Sequence, residues 1–266
     1  MHPKRVLVAA LFLVALGITA CSTGASSSKG ESKVGETTTT STTAPVDYRS
    51  ALIARLSKEW NDPVLASAIV TPIDQATLDG WEAKVPMAQV ATSPQLTYDV
   101  PASDKKPASI VAYAFGYVTD ADGSLQPGPV NEAIAASLAA YVKTNPTPIY
   151  TQPELGIALA KLGVANVMVI QHEIGPDGKE IYQSTASFTD QLLKQMAVEG
   201  MSLGTTAIVG FADHEGRCVI TATKAGIDGI RVAAIELPST YDPQSVQPWT
   251  RDRKTYLTTD LAARFL

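Results

Sequence analysis

Cysteine is scarce in this chain of 266 residues, with two in all, Cys21 and Cys218. The position of Cys21 gives it a separate explanation, below. Cys218 is then left without a partner, which excludes an intramolecular disulfide. It sits in an apolar helical stretch and reads as a small buried hydrophobe. Basic residues are outnumbered, 21 against 26 acidic, for a formal charge of −5. That balance disfavours nucleic acid and anionic membrane as direct ligands. No G-x-x-x-x-G-K-[ST] loop and no G-x-G-x-x-G fingerprint is present, so nucleotide use has no direct support and no cofactor is assigned. The longest early apolar run, Val6 to Ile18, is too short to span a bilayer as a mature helix.

What is present at the start is an export signal. Lys4 and Arg5 precede that apolar run, and Ile18-Thr19-Ala20-Cys21 closes it. A basic flank, an apolar stretch and small residues before a cysteine form a lipobox pattern. Residues 1–20 are therefore expected to be a lipoprotein signal peptide, with Cys21 lipidated and the rest placed outside the cytoplasm. An uncleaved anchor, or ordinary secretory cleavage after Ala20, would fit the same residues. From 21 to 45 the chain is nearly pure Ser, Thr, Gly and Ala with scattered charges, the composition of a solvated tether that cannot form a core. Without Lys4 and Arg5, 19 basic residues face 26 acidic ones, so the mature formal charge is −7.

Residues 46–266 are long enough for one self-sufficient domain. Tyr48, Leu52, Leu56 and Trp60 recur every four residues behind Asp47, and predict a first helix. Ile73 to Val90 predicts a second. The Asp99 to Ser109 stretch reads as a surface loop. From Ser109, short apolar runs alternate with helical patterns. The strands are SIVAYAFGYV, PIYTQ, Asn166 to Gln171, Gly204 to Phe211 and Val232 to Leu237. The intervening helices are Val130 to Lys143, Pro153 to Leu162, Ser184 to Glu199 and Glu215 to Ala225. This alternation predicts a doubly wound α/β domain, with a mostly parallel sheet of about five strands covered on both faces and preceded by two helices. Pro176-Asp177-Gly178 is a strong turn signal, so 167–182 could instead form a hairpin. A last helix is expected from about Thr258.

Open α/β sheets place ligands at the carboxyl ends of their strands. That rule selects Asp213-His214-Glu215-x-Arg217, where an imidazole, a carboxylate and a guanidinium together could bind an anion and move a proton. The plainer alternative makes Asp213 a helix cap and Arg217 a solvated side chain. His172 ends the third strand, and with His214 and a carboxylate it would make a zinc or iron set, although the spacing is unspecific and no metal is assigned. Gly200-Met201-Ser202-Leu203-Gly204 matches a serine-hydrolase expression in the wrong context, with a helix before the serine and a strand after. Asp120-Ala121-Asp122-Gly123 reads as a tight turn.

The order of elements resembles the YdcF/SanA-like (ElyC-like) family of α/β envelope proteins over 109–237. The resemblance rests on four features: the opening strand that runs to Gly116; PELGIALAKLGV with Glu154; the Ser184-Thr185 start of the third helix; and His-x-x-Arg at His214 and Arg217, leading to Gly-Ile. Asn131 stands where that family opens a helix with arginine, and Phe188 or Thr189 stands where it has asparagine. Taken with the lipobox at Cys21, the resemblance implies a lipid-anchored envelope protein, associated with envelope or cell-wall precursor metabolism and binding a small anionic ligand. Its pocket would be lined by Gly116, Glu154, Thr185, Asp213, His214 and Arg217, with His214 as the acid/base candidate and Arg217 as the anion clamp. The rival expectation is a non-catalytic envelope interaction module on the same scaffold.

Overall fold

Side chains along Ser109–Ala112 and into Tyr113 alternate between two separate cores: Ile110 and Ala112 enter one, Val111 and Tyr113 the other. A strand buried on both faces is the centre of a three-layer α/β fold. The computed structural model describes residues 47–96, 98, 100–176, 178 and 180–266. The expected signal peptide, Cys21 and the tether lie outside them. The chain runs α1 (Tyr48–Trp60), α2 (Pro63–Val70), α3 (Gln75–Lys84), a 3-10 turn at Met87–Gln89, β1 (Ala102–Ser103), β2 (Ser109–Ala112), β3 (Val118–Thr119), β4 (Leu125–Gln126), α4 (Gly128–Thr144) and β5 (Ile149–Thr151). It continues through α5 (Pro153–Lys161), β6 (Val167–Val169), β7 (Glu173–Ile174), β8 (Glu180–Ile181), α6 (Thr185–Glu199), β9 (Thr206–Val209), α7 (Ala212–Lys224), β10 (Gly229–Val232), a 3-10 turn at Pro248–Thr250 and α8 (Arg253–Arg264).

Six parallel strands form the main sheet in the order β1-β10-β9-β2-β5-β6. From β2 the chain steps outward through β5 to β6, then returns to β9 on the other side of β2 and moves on to β10. Strand order therefore reverses between β2 and β9, where such sheets open a crevice at their carboxyl ends. Leu52, Leu56, Leu138, Leu155 and Leu257 cover one face, from α1, α4, α5 and α8. Phe188, Leu192, Cys218 and Ala222 cover the other, from α6 and α7. The protein is a doubly wound α/β domain.

The structure corrects several boundaries. Three helices precede the sheet, because Asp62 accepts from Leu65 N–H at 2.9 Å and Pro63 opens α2. The next helix stops at Lys84, since Val85 must be extended before Pro86. Within the expected surface loop, Ala102 and Ser103 pair with Arg231 and Val232 and add a sixth strand. The fifth predicted strand shifts to Gly229–Val232, and the chain turns at Ala233, whose N–H donates to Ser103 O at 3.2 Å. Both readings of 167–182 hold in part: Val167–Val169 joins the sheet, and the β7–β8 hairpin follows it. Helix α8 begins at Arg253 because Asp252 caps Thr255 N–H at 2.8 Å. Among the described residues no helix is long and apolar enough to cross a membrane.

Candidate functional site

A cavity of about 650 Å³ opens at the carboxyl ends of β2, β5 and β9, and Gly116, Thr185, His214 and Arg217 all line it. The turn after β2 is held by Asn131 of α4, which is fully buried. Its Oδ1 accepts from Phe115 N–H at 2.9 Å, and its Nδ2 donates to the carbonyls of Gly116 at 2.8 Å and Pro127 at 2.7 Å. Gly116 itself has φ +69°, and a Cβ there would meet Ser245 Oγ at 2.6 Å and Thr250 Oγ1 at 2.7 Å. Only glycine accepts both the backbone and the contact.

Three polar side chains form a relay into the cavity. The Tyr256 hydroxyl lies 2.6 Å from His214 Nδ1, and His214 Nε2 lies 3.2 Å from Thr185 Oγ1. Burial, reinforced by the Arg217 charge and opposed by Asp260, depresses His214 to about 3, so the imidazole is neutral at physiological pH. Burial raises the Tyr256 phenol well above its ordinary value. The phenol keeps its proton and donates it to Nδ1, which leaves Nε2–H to donate to Thr185 and frees the Thr185 hydroxyl proton at the cavity wall. Thr185 is also the first residue of α6. Ser184 caps Ser187 N–H at 3.1 Å, whereas the N–H groups of Thr185 and Ala186, which a helix cannot satisfy internally, belong to residues at the cavity wall.

Arg217 is one end of a buried charge chain. Its NH2 lies 2.6 Å from Asp260 Oδ1, Asp260 Oδ2 lies 2.7 Å from Arg264, Arg264 lies 2.7 Å from Glu59, and Glu59 lies 3.2 Å from Arg55. Three guanidiniums thus face two carboxylates, and one positive charge is left uncompensated within the chain. Arg217 and its partner Asp260 both line the cavity, and 27% of the Arg217 side chain is exposed while Asp260 is buried. The buried Nε of Arg217 has no hydrogen-bond partner among the described residues.

Two of the sequence-selected residues stand elsewhere. Asp213 does not line the cavity and does not cap α7, whose N-cap is Phe211. Its carboxylate accepts from Tyr241 at 2.8 Å and from Arg253 at 2.8 and 3.1 Å, which ties α7 to the C-terminal segment. Glu154 is fully buried behind the cavity wall, 3.4 Å from His172 Nε2. His172 Nδ1 lies 3.5 Å from Glu180, and the ring meets the edge of Tyr182, which does line the cavity. Burial pulls His172 down, but Glu154 and then Glu180 outweigh it and hold its pKa above the usual histidine value. Glu215 pairs with Arg231 at 2.9 Å. Burial raises it to about 7 against the opposing Arg231 charge. His172 and His214 belong to separate clusters, and among the described residues no three His, Cys, Asp or Glu side chains are grouped to hold a metal. Ser202 lies at the amino end of β9, beyond the α6 cap Gly200, whereas His214 follows its carboxyl end.

Several cavity residues went unselected in the sequence: Gln152, Tyr182, Gln183, Trp249, Tyr256 and Asp260. The available signal was Asp260 four residues before Arg264, a helix-spaced ion pair. Comparison with protein-family models, with curated proteins and with solved structures found no match to this chain.

Proposed function

We propose that this protein is a lipid-anchored cell-envelope protein whose α/β domain binds a small anionic ligand in the cavity between β2 and β9. The carrying observation is convergence: the Thr185 hydroxyl, the α6 N-terminus and the partly exposed Arg217 guanidinium, in a chain of three guanidiniums and two carboxylates, meet at one cavity. Each favours an anionic oxygen, and partial burial strengthens all three. A neutral His214, with a conjugate acid near 3, is too weak a base to collect protons at pH 7. Its part in this reading is to orient Thr185. The lipobox at Cys21 and the resemblance of 109–237 to YdcF/SanA-like proteins support the envelope assignment.

Thermal melts of the full-length protein in detergent, with inorganic phosphate and small carboxylates, test the site. Saturation at 100 Kd adds about 2.7 kcal/mol, or roughly 5–10 °C for a domain of this size. His214→Ala and Arg217→Ala should abolish that shift, and unchanged shifts would contradict the site. Metabolic labelling with an alkyne fatty acid tests the anchor. Label should be present in the wild type and absent from Cys21→Ala, and equal labelling of both would contradict lipidation at Cys21.

A further inference from the structure

Part of the cavity takes no share in these anion contacts. Tyr117 and Tyr182 stack with ring centroids 5.3 Å apart at 20°, and the Tyr182 phenol hydrogen-bonds Gln247. Trp249, on the turn before α8, lines the same cavity yet is 46% exposed. Of the other described tryptophans, Trp60 is buried in the core and Trp81, half-buried, stacks on Phe265 at 4.3 Å. An indole left open beside a cavity is an unfilled apolar contact.

The second observation is a bare acceptor. Gln183 lines the cavity at 2% exposure, and its Nε2 donates to Gln171 O at 2.9 Å and to Gln191 Oε1. Two acceptors on one nitrogen fix the orientation of the amide. That leaves Oε1 buried with no donor among the described residues, an unfavourable state that a ligand hydroxyl relieves. Ser184, Thr250 and Thr259 also line the cavity.

We infer that the ligand is an anionic carbohydrate, with its charged group at Arg217 and Thr185, its ring against Trp249 and Tyr182, and a hydroxyl donating to Gln183. This rests on the anion-binding reading above. A sugar ring supplies both missing halves at once, apolar C–H faces for the aromatic rings and hydroxyl donors for the amide oxygen. Inorganic phosphate supplies neither, and a neutral polyol brings no charge to Arg217.

Titration calorimetry on the full-length protein in detergent, with inorganic phosphate, glucose, glucose 1-phosphate and adenosine monophosphate, tests the inference. Glucose 1-phosphate should bind at least tenfold tighter than phosphate. Trp249→Ala and Gln183→Leu should each cut that ratio below threefold and leave phosphate affinity unchanged. Trp249 is exposed, so its variant keeps the test informative even if Gln183→Leu fails to fold. Equal affinity for phosphate and glucose 1-phosphate, an undiminished ratio in Trp249→Ala, or tighter binding of adenosine monophosphate would overturn the carbohydrate assignment while leaving the anion site standing. No binding of any anion would overturn both.

Discussion

Thr185 Oγ1 and His214 Nε2 lie 3.2 Å apart, so the first turns of α6 and α7, helices that follow different strands, share a polar contact at the cavity. Neither residue selects the other locally, since 29 positions separate them. The reversal of strand order between β9 and β2 brings the two helix starts to one crevice. The relay from Tyr256 through His214 then leaves the Thr185 hydroxyl proton free at the cavity.

The two described histidines should titrate far apart. By NMR, His172 should show a midpoint above the usual 6.5 and His214 should not titrate between pH 8 and 4.5. The linkage has a definite sign. His214 takes a proton at 6.5 when unfolded but only near 3 when folded, so acidification between those values favours the unfolded chain. Stability should fall as pH drops through this window, and His214→Gln should flatten that fall in melts at pH 4–7. Titration of folded His214 near 6.5 would contradict the neutral relay.

Gly116 couples the turn after β2 to the loop before α8. Gly116→Ala places a methyl 2.6 Å from Ser245 Oγ at a φ of +69°. Strain and overpacking together should cost about 1–3 kcal/mol. The shift should appear in the unfolding midpoint by denaturant, with a smaller preference for glucose 1-phosphate over phosphate because Trp249 rides on the same loop. A variant as stable as wild type would show that the loop moves freely.

Asp213 and Arg217 should separate cleanly. Asp213→Ala removes the anchor for Tyr241 and Arg253 and should destabilise by about 1–2 kcal/mol, below the value for a fully buried pair because Arg253 is 36% exposed. Anion affinity should be unchanged. Arg217→Ala should lose that affinity. Loss of binding in Asp213→Ala, at a temperature where the variant is folded, would place Asp213 in the site after all.

Much of the fold was legible because its signals are local. Asp47 and the Tyr48, Leu52, Leu56, Trp60 ladder mark α1, and Ser184 with Gly200 brackets α6. Alternating apolar runs and helices were enough for the doubly wound class. The two-residue β1 was not legible, because Ala102 and Ser103 become a strand only by pairing with β10. Half of the site was legible for the same reason: Gly116, Thr185, His214 and Arg217 follow strands at their carboxyl ends. Tyr256, Asp260 and Trp249 come from the C-terminal segment, which closes over the sheet through contacts no local pattern encodes. Asp213 was misleading because a carboxylate near a helix start resembles a cap or a ligand, and its true partners lie 28 and 40 residues away.

The most direct test of the central claim is an amide NMR titration of the full-length protein with inorganic phosphate. Binding at this cavity predicts saturable shifts at the backbone N–H groups of Thr185 and Ala186, lost in Arg217→Ala. Saturable shifts confined to residues away from the β2–β9 crevice, or none at either amide, would contradict it.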